Sequence, residues 1–158
     1  MPAAPTFRCR TAADCGAGHP DRPMFLLDTN IVSELRRPKP HGGVVAWITG
    51  IPDTALHLSA VTIGEIQAGI ERAREQDAAK AAEIDAWLDQ VAGSWNILPM
   101  ESRCFRLWAR LMHGRSDSLL EDAMIAATAM VHDLTVVTRN VRDFEVFAVP
   151  VLDPFRVD

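Results

Sequence analysis

Residues 24–35 read MFLLDTNIVSEL, and this stretch decides the fold class of the 158-residue chain. Its first four residues form an uninterrupted apolar run, which is typical of a strand buried on both faces of a parallel sheet. Asp28 follows directly, and a helical pattern then continues to about Arg37. Pro38 and Pro40 end that helix, because proline has no backbone N–H to continue it. The stretch therefore predicts a buried strand that delivers a carboxylate to one edge of a sheet.

The rest of the chain repeats this alternation of strand and helix. The patterns predict strands near residues 55–59, 97–98, 134–138 and 149–152, and helices over 29–37, 44–51, 61–74, 78–95, 101–113 and 118–131. Strands that alternate with helices, several of them wholly apolar, indicate α/β/α layers around a short parallel β-sheet. Residues 1–23 contain four prolines and no periodicity, so we predict a disordered N-terminal extension and a single domain over residues 24–158.

Composition narrows the class of protein. Hydrophobic residues make up 48% of the chain and charged residues 23%, as in a globular domain. A net charge of -5 argues against a protein that coats nucleic acid by bulk charge. The three cysteines suggest neither a disulfide framework nor a zinc site. With no membrane-length apolar run and no secretory signal, we expect a cytoplasmic protein with no membrane contact.

Asp122 is the residue that says most about function. It lies in the predicted helix over 118–131, three residues after Leu119 and three before Ile125, on the apolar stripe that should face inward. An unpaired buried carboxylate costs several kcal/mol unless a cation or a donor compensates it. Neighbouring Glu121 has a simpler explanation, because Ser118 and Glu121 fit a helix capping box. Asp122 therefore needs a partner elsewhere in the fold.

Three further acids are predicted to lie near the same sheet edge. Asp28 ends the first strand, Glu65 lies one turn into the helix after the second, and Asp143 follows the strand that ends at Thr138. Ligands bind outside the carboxyl ends of parallel strands. Clustered carboxylates raise one another's pKa and stay ionised only around a cation. Oxygen ligands without His or Cys favour Mg²⁺ or Mn²⁺, which suits phosphodiester hydrolysis.

Each acid also has a purely structural explanation. Asp28 would cap the following helix, Glu65 would close a capping box with Thr62, and Asp143 would be a turn residue in a polar loop. Asp122 would be a hydrogen-bonded or neutral core acid. Four independent structural roles would then have to coincide at one edge of the sheet, so we interpret the acids together as a site.

The same segments carry a family resemblance. They read MFLLDTNIVSEL at 24–35, SAVTIGEI at 59–66, EDAMIAATA at 121–129, LTVVTRN at 134–140 and LDPF at 152–155. In this order they resemble the motifs of PIN-domain ribonucleases, in particular the VapC/FitB-like toxins of type II toxin–antitoxin systems. The resemblance covers residues 24–158. It implies a PIN domain that cleaves RNA with Mg²⁺ or Mn²⁺, forms a homodimer and is neutralised by a cognate antitoxin.

The resemblance also assigns roles to residues. It implies that Asp28, Glu65 and Asp122 bind the metal and that a fourth acid completes the catalytic set. Many family members have that acid where this chain has Asn140, so either Asp143 or a water held by Asn140 takes its place. The expected substrate-binding residues flank the acids: Thr29, Asn30, Thr138, Arg139 and Asn140. Arg139 and Arg142 are the candidates for phosphate contact.

Two functions of other classes remain as alternatives. The first is a catalytically silent module that keeps the fold and works by binding a partner. The second is a phosphatase of the haloacid dehalogenase type with Asp28 as nucleophile. That enzyme would need an acid at the position of Asn30 and a lysine after a strand, and the lysines here, Lys39 and Lys80, do not follow strands. RNA cleavage that depends on a divalent metal would distinguish the nuclease from both.

Overall fold

One five-stranded parallel sheet forms the centre of the molecule in the computed structural model, which describes residues 22–156. The strands are β1 (Phe25–Leu27), β2 (Leu56–Ser59), β3 (Asn96–Leu98), β4 (Thr135–Val137) and β5 (Val151–Leu152). Their spatial order is β3-β2-β1-β4-β5, and every neighbouring pair is parallel. All five strands therefore end at the same edge, with β1 in the middle.

Helices connect the strands and cover both faces of the sheet. They are α1 (Thr29–Leu35), α2 (Gly42–Thr49), α3 (Ala60–Arg74), α4 (Ala78–Ser94), α5 (Ser102–Met112), α6 (Leu120–Val131) and α7 (Val141–Glu145). Short 3-10 turns at Asp53–Ala55 and Asp117–Leu119 precede β2 and α6. Within residues 22–156, no helix is long and apolar enough to cross a bilayer.

The core is divided in two by the sheet. Leu27 belongs to one buried cluster, which takes its helical side chains from α1 to α4. Leu26, its neighbour in the strand, belongs to the other cluster with residues of α6 and α7, because successive strand side chains point to opposite faces. Both leucines are fully buried. The predicted α/β/α layering is therefore confirmed.

The ends of most predicted elements differ from the structure by one or two residues, and two differences bear on the site. The helix that carries Asp122 begins at Leu120 rather than Ser118, after a 3-10 turn whose first N–H groups are capped by Ser116. Residues 139–144, predicted as a polar loop, contain the short helix α7. The predicted extension over residues 1–23 falls almost wholly outside the described residues and stays a prediction.

Candidate active site

Asp28 lies at the centre of the common strand edge and is held by three donors. It directly follows β1 and caps α1, accepting a hydrogen bond from the Thr29 backbone N–H at 2.7 Å. Its other oxygen, Oδ2, accepts from Asn30 Nδ2 at 2.8 Å and from Thr138 Oγ1 at 2.7 Å. Burial raises the pKa of Asp28, and these donors oppose that shift. The structural role and the site role therefore coincide in this residue.

Glu65 approaches the site from α3, whose start is fixed by a different residue. Ser59 caps α3 through the Val61 N–H, so the alternative role of Glu65, a capping box with Thr62, is not what the structure shows. Glu65 Oε2 instead accepts a hydrogen bond from Thr29 Oγ1, and Thr62 Oγ1 lies 3.2 Å from the same hydroxyl. Burial raises the pKa of Glu65, and the charges of Asp28 and Glu121 add to the shift.

Asp122 is the half-buried acid of the first turn of α6. No hydrogen bond from another residue within 22–156 reaches its carboxylate. Burial raises the pKa of Asp122 to about 7, and the charges of four other acids, Asp28, Asp143, Glu65 and Glu121, contribute. Desolvation and like-charge repulsion thus act together on this group.

Glu121 does not form the predicted capping box. The position before α6 is Leu119, which provides no side-chain cap, and the Ser118 hydroxyl donates to Ser116 Oγ. Glu121 is exposed, yet its charge acts on both Glu65 and Asp122. The predicted capping role had excluded Glu121 from the site. Its position next to Asp122 in the sequence already indicated that it lies near the other acids.

The fourth position has an acid available. Asp143 lies in the first turn of α7, and its backbone N–H donates to the Asn140 carbonyl at 3.1 Å. The charge of Asp143 acts on both Asp28 and Asp122. Asn140, the residue before α7, is exposed and provides no side-chain cap. Helix α7 thus places Asp143 where its charge acts on two of the other acids.

The polar residues beside the acids are engaged with one another. Buried Thr138 donates to Asp28 and accepts from the Asn140 N–H at 2.9 Å and from Asn30 Nδ2 at 3.2 Å. Asn30 Oδ1 in turn accepts from the Arg139 N–H at 3.2 Å. These residues were predicted to bind substrate, and they also fix the carboxylates. Sequence reasoning did not find that positioning role, because the partners follow two different strands and are far apart in the sequence.

The electrostatics of the cluster are one-sided. Within residues 22–156, no arginine, lysine or histidine forms an ion pair with Asp28, Glu65, Asp122 or Asp143. Nor do three His, Cys, Asp or Glu side chains in this part of the chain already stand close enough together to enclose a metal ion. The donor chemistry fits a hard divalent cation, and no hydrogen bond from residues 22–156 competes with a cation for the Asp122 carboxylate.

Known proteins share the sequence pattern that builds this arrangement. The pattern of the PIN domain matches residues 25–149. The chain belongs to the PIN-domain family. Toxin FitB of Neisseria gonorrhoeae is 33% identical over 140 residues, which cover 84% of this chain and 99% of the relative. The VapC ribonuclease Y4jK of Sinorhizobium fredii is 32% identical over 143 residues, covering 84% and 98%.

Solved structures agree with the PIN-domain assignment. The crystal structure of FitAcB from Neisseria gonorrhoeae aligns with a TM-score of 0.71 and 34% identity, covering 85% of this chain and all of that one. VapBC-5 from Mycobacterium tuberculosis, a member of the VapBC family of toxin–antitoxin systems, aligns with a TM-score of 0.56 and 27% identity, covering 82% and 97%. Membership of the PIN family leaves the phosphatase alternative without support.

Proposed function

We propose that this PIN domain is a Mg²⁺- or Mn²⁺-dependent endoribonuclease that acts in the cytoplasm as the toxin of a type II toxin–antitoxin system. The observation that carries the proposal is the convergence of Asp28, Glu65, Asp122 and Asp143 at one strand edge without a compensating cation from residues 22–156. Such a cluster is costly unless a bound ion offsets the desolvation and the repulsion. Uncompensated carboxylates at the ligand-binding edge of a parallel sheet destabilise the fold, so their presence there indicates a functional site.

The chain's own residues divide the work. Asn30 and Thr138 hold Asp28 in one orientation, and Thr29 orients Glu65. Asp28, Glu65 and Asp122 would hold the ion, with Asp143 in the fourth position because its charge already acts on two of them. The ion would supply activation of water and stabilisation of the negative charge that develops on the phosphate. No nucleophilic side chain is then required.

Cleavage of total RNA by the purified protein tests this proposal. We expect cleavage with Mg²⁺ or Mn²⁺ and none in EDTA. The variant Asp122→Asn should lose at least about a hundredfold in rate, the upper end of what the loss of an outer-shell partner costs at a metal site. Asp117→Asn is the matched control, because Asp117 is an exposed acid in the turn just before α6. A folded parent protein with no metal-dependent cleavage would instead support the silent binding module.

The partners proposed for the chain are a cognate antitoxin and a second copy of itself. Support comes from the similarity to toxin FitB and to a member of the VapBC toxin–antitoxin systems. Light scattering on the purified chain measures its oligomeric state. Co-expression with the neighbouring open reading frames, followed by purification through a tag on this chain, tests for the antitoxin. A monomer that retains no partner would contradict both proposals.

A further inference from the structure

The turn after β5 lies at the edge where the acids converge, but it contributes no carboxylate to the proposed metal site. It contains Asp153, Pro154 and Phe155, the end of the LDPF motif. Thr138, which holds Asp28, donates its backbone N–H to the Leu152 carbonyl at 3.0 Å. The Phe155 N–H donates to Asp153 Oδ1 at 3.0 Å and closes the turn. Phe155 is therefore placed beside the site by hydrogen bonds on both sides of the turn.

Close packing fixes the turn against α2. A Cβ atom at Gly43 would lie 2.7 Å from the Pro154 carbonyl oxygen, so only glycine allows this approach. His41, which caps α2, then meets Phe155 with ring centroids 5.0 Å apart and planes tilted by 48°. The guanidinium of Arg139 lies over the Phe155 ring, with Cζ 4.9 Å from the centroid. We call His41, Phe155 and Arg139 the stacking ladder.

Arg139 connects the stacking ladder with the carboxylates. Its backbone N–H donates to Asn30 Oδ1, and the Asn30 amide donates to Asp28. The outer member of the ladder is thus separated from the central acid by one side chain. Because the Arg139 backbone lies one side chain from Asp28, a nucleotide held by the Arg139 side chain would be near a group that reacts at Asp28.

A second arginine shows what is unusual about Arg139. The Arg115 guanidinium also lies over a ring, that of Phe147 at 5.3 Å, but it donates to the carbonyls of Leu111 and Val146 at 2.8 and 3.0 Å. The Arg139 side chain is exposed, and within residues 22–156 no carboxylate or carbonyl oxygen accepts a hydrogen bond from it. Arg115 is used inside the fold, whereas Arg139 keeps a flat cationic face and N–H donors toward solvent.

We propose that the stacking ladder is a subsite for one nucleobase of single-stranded RNA, next to the phosphate that is cleaved; this inference rests on the proposed ribonuclease function. A base would stack on the Arg139 guanidinium, which lies over the Phe155 ring, and His41 packs against Phe155. Single-stranded RNA is specified because its bases have free faces, and proteins read them by stacking on aromatic rings and guanidinium planes. A chain of net charge -5 gains little RNA affinity from bulk charge, so local contacts must supply it.

RNA binding without cleavage tests the subsite. The Asp122→Asn protein serves as the parent, and fluorescence anisotropy with Mg²⁺ present measures its Kd for labelled single-stranded oligoadenylate and for an abasic oligomer of equal length. Adding Arg139→Lys, which keeps the charge but removes the plane, should raise the oligoadenylate Kd at least about fivefold, the lower end of a base-stacking contribution. Binding of the abasic oligomer should change far less.

Matched variants separate stacking from folding. Phe155→Leu should weaken oligoadenylate binding, and Phe155→Tyr should restore it, with melting temperatures measured on each protein. Arg36→Lys is the control for Arg139→Lys, because Arg36 also lies over a ring, that of Trp87 at 6.0 Å, and should leave the Kd unchanged.

The results distinguish the base subsite from the proposed RNA substrate. If Arg139→Lys binds oligoadenylate as tightly as its parent, the subsite is wrong while RNA as substrate survives, and the ladder is left to a protein partner. The subsite is also wrong if affinity for the base-containing and abasic oligomers falls equally. If the parent itself binds neither oligomer, the subsite is wrong, and the cleavage assay on the unmutated protein decides whether RNA is the substrate.

Discussion

The two halves of the acidic site differ in how many hydrogen bonds their carboxylates receive. At the ends of β1 and β4, Asp28 receives three hydrogen bonds and is almost fully buried. Across the site at the start of α6, Asp122 receives none from the described residues and is only half-buried. Burial raises the pKa of both, but only at Asp28 do fixed donors oppose it. Hydrogen bonds offset part of the cost of the charge at Asp28, whereas no donor among the described residues does so at Asp122, so metal binding should respond most strongly to Asp122.

The largest effect we expect on stability comes from the ion itself. Binding to the folded state alone adds about 2.7 kcal/mol at a hundredfold excess of ion over its Kd. Calorimetry of the unmutated protein with millimolar Mg²⁺ or Mn²⁺ should show a higher melting temperature than in EDTA. Asp122→Asn should lose most of that increase. If neither ion shifts the melting temperature of an antitoxin-free sample, the difference in hydrogen bonding between Asp28 and Asp122 does not reflect metal binding.

Removing a donor from the Asp28 half should destabilise the protein. Thr138→Val deletes a hydroxyl that donates to Asp28 and accepts from the Asn140 N–H, and the loss of a hydrogen bond to a charged group costs about 1.5–3 kcal/mol. Urea unfolding in EDTA measures the loss, and Thr138→Ser, which keeps the hydroxyl, is the control. Equal stability of the Val and Ser variants would show that Asp28 does not depend on this donor.

Neutralising Asp122 should stabilise the metal-free protein, and the gain in stability should depend on pH. The folded pKa of Asp122 is about 7 against an ordinary 3.8, so folding favours the protonated form. The cost of its charge is absent below the unfolded pKa, grows as pH rises, and is complete above about 7. Metal-free Asp122→Asn should match the parent near pH 4 and exceed it near pH 8 by roughly 1–2 kcal/mol, after allowance for solvent screening.

Unfolding curves of parent and variant at several pH values in EDTA measure this difference. A carboxylate that was hydrogen-bonded as an anion would give the reverse, a variant less stable than the parent above neutral pH. That outcome would mean that hydrogen bonds hold Asp122 as an anion, as they hold Asp28, and that the two acids do not differ.

The smallest effect should come from deleting residues 1–23. Met24, the first residue kept, packs partly buried against the core cluster around Leu26, and its carbonyl accepts from the Thr135 N–H at 3.0 Å. Both contacts survive in a chain that starts at Met24, so the free energy of unfolding should stay within about 0.5 kcal/mol, as for a change that removes no core contact. A large loss of stability or of RNA cleavage would show that the segment contributes to one half of the site.

Local patterns predicted the acids of the site better than they predicted its hydrogen bonds. The apolar run before Asp28 and the inward stripe around Asp122 were enough to bring both acids to one strand edge, because strand direction and helix periodicity are local properties. The same reasoning gave Glu121 a capping role, and Glu65 an alternative one, and the structure contains neither. Capping motifs also depend on where a helix starts, and α6 starts two residues later than its sequence pattern indicated.

The sequence by itself determined that this is a parallel α/β domain with acids at its carboxyl edge, since apolar runs, their spacing and the residues that follow them are written in the chain. Tertiary structure alone decided that Thr138 donates to Asp28 across 110 positions. It also decided that the charge of Asp143 acts on Asp28 and Asp122, and that the pKa of Asp122 is raised to about 7. The physical reason is that donors, desolvation and charge repulsion depend on distances between segments that become neighbours only when the sheet assembles.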